Sequence, residues 1–140
     1  MIVLDTNIIA EFDRPRPNPA VIRWFGEQDQ LELYLCTPVV LEQSSGAELF
    51  RLRTGSARYI RTRDRLLELF RNRVLDFSLE AAIRAGILRA TREGGGRHMS
   101  LADAMIASIC LVNEATLATR NTRDFEGIDL RLVNPFEAGA

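Results

Sequence analysis

The chain contains no lysine and one histidine, His98. Without lysine a Walker-type phosphate loop is excluded, and Gly94-Gly95-Gly96 matches neither GxGxxG nor GxxxxGK[ST]. That glycine run reads as a helix stop and flexible connector. With its single histidine in the loop sequence GGGRHMS, the chain lacks parts for an HExxH zinc site and for a Ser-His-Asp triad. Cysteine is scarce too. Cys36 and Cys110 lie in apolar surroundings with no CxxC or other metal-ligand spacing, so they read as reduced, buried thiols and not as a disulfide. No apolar run approaches the roughly 18 to 20 residues needed to span a bilayer. Nor does the start fit a secretory signal, because Asp5 interrupts the first apolar run almost at once. The expectation is a cytoplasmic protein that makes no membrane contact.

What is present describes an ordinary globular chain. At 140 residues, 46% hydrophobic and 26% charged, it is expected to form one domain that buries about two-thirds of its chain surface around a single core. A net charge of −1 does not by itself suggest a nucleic-acid partner. The distribution says more. All 18 basic residues are arginine, and residues 51 to 73 hold eight of them (Arg51, Arg53, Arg58, Arg61, Arg63, Arg65, Arg71, Arg73) against only Asp64 and Glu68. Arginine makes planar, bidentate contacts with phosphate and carboxylate. The segment therefore reads either as a surface for RNA or an acidic protein, or as a solvated helical face.

No internal repeat, low-complexity tract or dividing linker is present, and RPRPNP at 14–19 reads as a short rigid loop. The runs MIVL (1–4), LELYL (31–35), RVLDF (73–77), TLAT (116–119) and LRLV (130–133) predict short strands, several of them apolar on both faces as buried parallel strands require. Between them lie helices. Asn18 before Pro19 and Thr37 before Pro38 each resemble an N-cap with proline at the first helical position, and Ser56 and Ser78 are candidate caps for the next two. Such alternation predicts an α/β sandwich on a mostly parallel sheet with helices on both faces. Ligands in sheets of this kind bind beyond the carboxyl ends of the strands.

Four acids stand out against that pattern. Asp5 directly follows the first strand, where its plain structural role is to cap a short helix from Thr6 toward Phe12. Asp103 lies in LADAMIASICLV (101–112), a segment apolar everywhere except Asp103 and Ser108. A carboxylate in so apolar a helix needs a partner or becomes protonated, although Ser100 and Asp103 also resemble a capping box with a short acid. Asp124 follows the strand at TLAT in the polar turn 120–124, where turn chemistry alone accounts for Asn and Asp. Glu42 lies on the helix beginning at Pro38, beside the apolar PVVL. Glu48 competes with it but sits about 240° away around the helix, where Arg51 three positions on explains it as an ion pair. Brought to one strand-end rim, the four acids would make an all-oxygen cluster suited to Mg²⁺ or Mn²⁺.

MIVLDTNIIAE at the start, an acid in the helix after the second strand, SLADAMIAS, and ATRNTRDF before LRLVNP together give the chain a familiar pattern. It resembles the PIN-domain ribonucleases and, within them, the VapC-type toxins of bacterial toxin-antitoxin pairs, including the FitB-like branch. The similarity spans the whole chain. It implies a single PIN domain over 1–140, folded as a three-layer α/β/α sandwich. Carried over residue by residue, it implies an acidic core of Asp5, Glu42 and Asp103, with Asp124 as the fourth acid and Asn121 a neutral contact in the same turn. Thr6, Asn7 and Thr119 match supporting polar positions. The implied activity is Mg²⁺-dependent hydrolysis of RNA phosphodiesters, with Mn²⁺ as an alternative ion. The implied partners are a cognate VapB-like antitoxin, a second copy in a homodimer, and operator DNA only through the antitoxin. Gln43-Ser44-Ser45 departs from the bulkier pattern of relatives, which bears on the register of that helix.

Two rival readings remain at the level of sequence. A phosphoaspartyl enzyme would want a second acid two residues after Asp5 or an acid pair with lysine, and the chain has Asn7 and no lysine. A catalytically inactive PIN-like module that only binds antitoxin or nucleic acid would keep the acids as caps.

Overall fold

A computed structural model describes residues 1–137. Five short strands, β1 (Ile2–Leu4), β2 (Leu33–Cys36), β3 (Val74–Leu75), β4 (Thr116–Ala118) and β5 (Leu132–Val133), pair in the order β3-β2-β1-β4-β5, every pairing parallel. Parallel neighbours need crossover connections, and helices supply them. Helices α1 (Thr6–Glu11) and α2 (Pro19–Glu27) connect β1 to β2, and α3 (Thr37–Thr54) and α4 (Arg58–Leu69) connect β2 to β3. Helices α5 (Leu79–Gly94) and α6 (Leu101–Val112) then carry the chain back across to β4 on the other side of β1. The result is the expected α/β/α sandwich on a parallel sheet.

The strand order reverses between β1 and β4, and such a switch point opens a crevice at the carboxyl ends of the strands. Val3 and Leu4 of β1 and Leu117 and Ala118 of β4 are buried side by side, with Val3 opposite Leu117 and Leu4 opposite Ala118. Ile8, Leu33, Leu35, Ile106, Ile109 and Phe125 complete the most buried part of the core. Helix α6 is buried on most of its surface because only Asp103 and Ser108 interrupt its apolar sequence. Ser108 satisfies its hydroxyl by donating to the Met105 carbonyl at 2.9 Å.

Several boundaries differ from the sequence reading for local reasons. Leu31 and Glu32 belong to a 3₁₀ turn (Gln30–Glu32) before β2, because the Asp29 carboxylate accepts the Leu31 N–H at 3.0 Å. β3 keeps only two residues, since the Phe77 N–H leaves the sheet to donate to the Thr37 hydroxyl at 3.0 Å. That bond also corrects the expected cap: Thr37 is the first residue of α3, and Cys36 holds the cap position without a side-chain bond. Asn18 and Ser78 cap as expected, accepting the N–H groups of Ala20 at 2.9 Å and Ala81 at 3.1 Å. Ser56 stands one residue early. Ala57 occupies the cap position of α4, while the Ser56 hydroxyl accepts the Arg58 N–H at 3.2 Å. Ser44 accepts from Arg63 of α4 at 3.2 Å, so this residue of the polar run after Glu42 serves the α3–α4 contact. Trp24 is buried in the core. Phe25 beside it lines a groove of about 360 Å³ with Ile9, Phe12, Leu66, Leu69 and Phe70.

Candidate functional site

β1 ends at Leu4 and α1 begins at Thr6, so Asp5 is both the residue leaving the sheet and the N-cap of α1. Its backbone N–H donates to the Ala118 carbonyl at 3.0 Å, extending the β1–β4 pairing to the rim. Its Oδ1 accepts the Thr6 N–H at 2.8 Å, and its Oδ2 accepts the Thr119 hydroxyl at 2.8 Å and the Asn7 amide at 3.4 Å. Capping and presentation at the crevice are therefore one arrangement. Thr119, fully buried just past β4, is the hub. Its hydroxyl oxygen also accepts from the Asn7 side chain at 3.3 Å and from the Asn121 N–H at 3.1 Å. Asn7 in turn accepts the Arg120 N–H through Oδ1 at 3.1 Å.

The other acids arrive from separate elements. Glu42, half-buried on α3, accepts the Thr6 hydroxyl through Oε2 at 3.2 Å, which ties α3 to the residue after Asp5. Glu48 lies on the exposed side of the same helix and binds Arg51, as its spacing predicts. Asp103 is the third residue of α6, and its N–H donates to the Ser100 hydroxyl at 3.1 Å. Asp124 lies in a 3₁₀ turn (Thr122–Phe125) after β4. Its N–H donates to the Asn121 carbonyl at 3.1 Å, while its exposed carboxylate has no hydrogen bond among the described residues.

Among the acids, Asp5 and Asp103 lie in the field of Asp124, and Glu42 lies in the field of Asp5 and Asp103. Burial pushes the Asp5 carboxyl above the usual range, against the pull of the bonds from Thr119, Thr6 and Asn7, and repulsion from Asp124 adds to the rise. Burial likewise raises Glu42, opposed by the Thr6 hydroxyl and assisted by repulsion from Asp5 and Asp103. Asp103 is raised by burial and by the charges of Asp124 and Asp5, while the Ser100 hydrogen bond and the Arg92 charge oppose it. No cationic side chain forms an ion pair with any of the four among the described residues. The Cys36 thiol, pushed up to about 12 chiefly by burial, is no thiolate nucleophile beneath them.

Unpaired, mutually repelling carboxylates with hydroxyl and amide neighbours form a donor set that fits a hard divalent cation. They do not form a closed cage: among the described residues no three Asp, Glu, His or Cys side chains converge closely enough to hold an ion alone. Mg²⁺ tolerates such an open arrangement, because it retains several waters and takes only one or two carboxylates directly. His98, the single histidine, is exposed in the loop before α6 and has no hydrogen bond to the four acids among the described residues.

Residues 2–130 match the PIN domain family. The chain belongs to that family. It is 40% identical over 140 residues to the plasmid stability protein StbB of Pseudomonas syringae pv. tomato, an alignment covering 99% of this chain and 100% of that protein. It is 35% identical to the VapC ribonuclease Y4jK of Sinorhizobium fredii, covering 98% of this chain and 99% of the relative. Among solved structures, FitAB bound to an IR36 DNA fragment contains a chain that superposes with a TM-score of 0.89 at 30% identity, covering 100% of this chain and 99% of that one.

Within this PIN domain the arginine-rich segment is mostly occupied with local work. Arg51 binds Glu48, Arg63 binds Asp64, and Arg71 lies 4.0 Å from Glu68. Arg73 donates to the carbonyls of Leu33 at 2.6 Å and Leu69 at 2.7 Å, over the ring of Phe70. The arginines around the acid-bearing turn come from elsewhere. Arg120 and Arg123 line a polar cleft of about 390 Å³ with Asn121, Thr122 and Asp124, and Arg92 and Arg97 grip the backbone of the same turn. Sequence patterning missed Arg92 and Arg97 because their partners are carbonyls, which leave no mark in the sequence. It also missed Glu11, a buried carboxylate that accepts the Asn18 N–H at 3.0 Å and pairs with Arg14 at 3.4 Å; the i,i+3 spacing was its only signal.

Proposed function

We propose that this PIN domain, a single domain over residues 1–140, is a Mg²⁺-dependent endoribonuclease acting as the toxin of a VapBC-type toxin-antitoxin pair, with Mn²⁺ as an alternative ion. One observation carries the reading. Asp5 and Asp103 lie in the field of Asp124, and Glu42 lies in the field of Asp5 and Asp103, with no ion pair to any of the four among the described residues. A bare group of this kind would repel an RNA backbone, so it makes chemical sense only with a cation among the acids. The similar Sinorhizobium protein is named a ribonuclease, which supports the same reaction class.

Asp5 and Asp103 would hold the ion, with Glu42 and Asp124 completing the oxygen set. When bound, the cation supplies a more acidic water for in-line attack and offsets charge developing on the phosphate. The chain's own residues do the rest. Thr119 and Asn7 fix the orientation of the Asp5 carboxylate, and the Thr6 hydroxyl fixes that of Glu42. Arg120 and Arg123, in the cleft beside Asp124, hold the strand by its phosphates.

The protein acts in the cytoplasm, as a homodimer held in check by a VapB-like antitoxin, and reaches operator DNA only through that partner. Two unpartnered apolar surfaces support protein contacts. One is the groove lined by Phe12, Phe25 and Leu69, and the other is the stripe Leu79, Ile83 and Ile87 along α5, each exposed by more than half. The rival reading, an inactive module, draws on the capping roles of Asp5 and Ser100–Asp103. Induced expression in a bacterium separates the two. Growth arrest with RNA breakdown, relieved by a co-expressed antitoxin and absent in Asp5→Asn, supports the nuclease; arrest that survives Asp5→Asn refutes it.

A further inference from the structure

The Asp124 carboxylate has no hydrogen bond or ion pair among the described residues, so its position is set by the backbone that bears it. That backbone is held at three places. Phe125, 1% exposed, anchors the turn in the core. The Arg92 guanidinium, at the C-terminal end of α5, donates through one nitrogen to the carbonyls of both Asp124, at 3.1 Å, and Glu126. The Arg97 guanidinium donates to the Arg123 carbonyl at 3.4 Å. Both arginines spring from one tied loop: the Arg97 N–H donates to the Arg92 carbonyl at 2.9 Å, and the chain reverses between them at Gly96, whose φ of +77° favours glycine.

From this geometry we infer that Arg92, assisted by Arg97, is a positioning residue for metal binding: it clamps the 122–126 turn so that the free Asp124 carboxylate stands toward Asp5 and Asp103. The guanidinium binds the carbonyl of Asp124 and leaves the carboxylate free for a cation. One terminal nitrogen of the planar guanidinium suits that task, because its two N–H groups, fixed in the plane, can satisfy two carbonyls of one tight turn at once. Nothing in the sequence marks this link. Arg92 and Asp124 are 32 positions apart and are joined through the main chain.

The inference rests on the proposed metal site, and its test separates the two. Mn²⁺ binding to the full-length protein is measured by calorimetry for wild type, Arg92→Ala, Asp124→Asn and the double variant, with thermal unfolding as the check on folding. Removal of a group that orients a ligand typically weakens metal binding 10- to 100-fold. Arg92→Ala is therefore expected to weaken Mn²⁺ binding about ten-fold in the wild-type background and less than about two-fold once Asp124 is already asparagine. Arg92→Lys, which keeps the charge and loses the fork, is expected to behave like the alanine variant and serves alone if Arg92→Ala does not fold. Independent, multiplying losses for Arg92→Ala and Asp124→Asn overturn the clamp, as does wild-type affinity in Arg92→Lys. Wild-type protein that binds no Mn²⁺ overturns the metal site itself, and the clamp with it.

Discussion

Replacing Thr119 by valine keeps the shape of a fully buried side chain and removes one oxygen. That oxygen donates to Asp5 Oδ2 at 2.8 Å and accepts from Asn7 at 3.3 Å and from the Asn121 N–H at 3.1 Å. A hydrogen bond to a charged group contributes about 1.5 to 3 kcal/mol, and a buried acceptor left without its donor bears most of that loss. Asn7 still reaches Oδ2, and the exposed Asn121 can turn to water, so the net cost at neutral pH is about 2 kcal/mol. For a domain of this size that corresponds to about 6 °C in Tm. The cost depends on pH. In the folded protein the carboxyls of Asp5, Glu42 and Asp103 are raised, so between the usual carboxylate range near 4 and their folded values the native state binds more protons than the unfolded chain. Apo-protein stability therefore falls as pH rises through that window. Loss of the Thr119 bond raises Asp5 further and widens the window at its upper end. Urea unfolding in EDTA at pH 5 and pH 8 tests this, with Thr119→Ser as a hydroxyl-bearing control expected to stay within about 1 kcal/mol of wild type. Equal destabilisation by valine at both pH values would refute the reasoning, since it would mean that the hydroxyl serves packing and does not hold the Asp5 carboxylate.

Other consequences follow from the same contacts. Asp103→Asn removes a half-buried, repelled charge, so the metal-free protein should unfold at higher urea at pH 8 than wild type, while RNA cleavage falls more than about a hundred-fold; a less stable apo variant contradicts the repulsion. Cys36 and Cys110 are buried, with both thiols raised, so a thiol reagent at pH 8 should label neither until the protein is unfolded; rapid native labelling contradicts their placement. Phe125→Ala should cost about 3 to 5 kcal/mol in urea unfolding, because the ring is 1% exposed beneath the Asp124 turn.

The acids were legible by position more than by type: capping explains Asp5 and turn chemistry explains Asp124, and only Asp103 broke a local rule. Asp103 interrupts an apolar helix, Asp5 ends an apolar strand, and Asp124 follows another; short parallel strands then place such positions on one rim. Glu42 was legible against Glu48 through helix angle and the Arg51 spacing alone, and the structure separates the two in the same way. Two of the misses trace to a partner distant in sequence. Pro38 marked the start of α3, but Thr37 could not be ruled out as its cap without the Phe77 N–H, 40 residues away, that takes its hydroxyl. Trp24 looks exposed beside Phe25, yet its spacing from Val21 turns it to the core while Phe25 faces the groove. The arginine-dense stretch was open between a binding face and a solvated one, and its Arg73 is claimed by backbone carbonyls.

The central claim is that Asp5 and Asp103 hold a divalent cation that makes this PIN domain a nuclease. The most direct measurement is cleavage of single-stranded RNA by purified wild type, Asp5→Asn and Asp103→Asn, with Mg²⁺ or with EDTA, alongside circular dichroism of each protein. The account predicts cleavage by wild type in Mg²⁺ alone, and none by either folded variant. Cleavage that persists in EDTA, or in a folded Asp5→Asn protein, would contradict it.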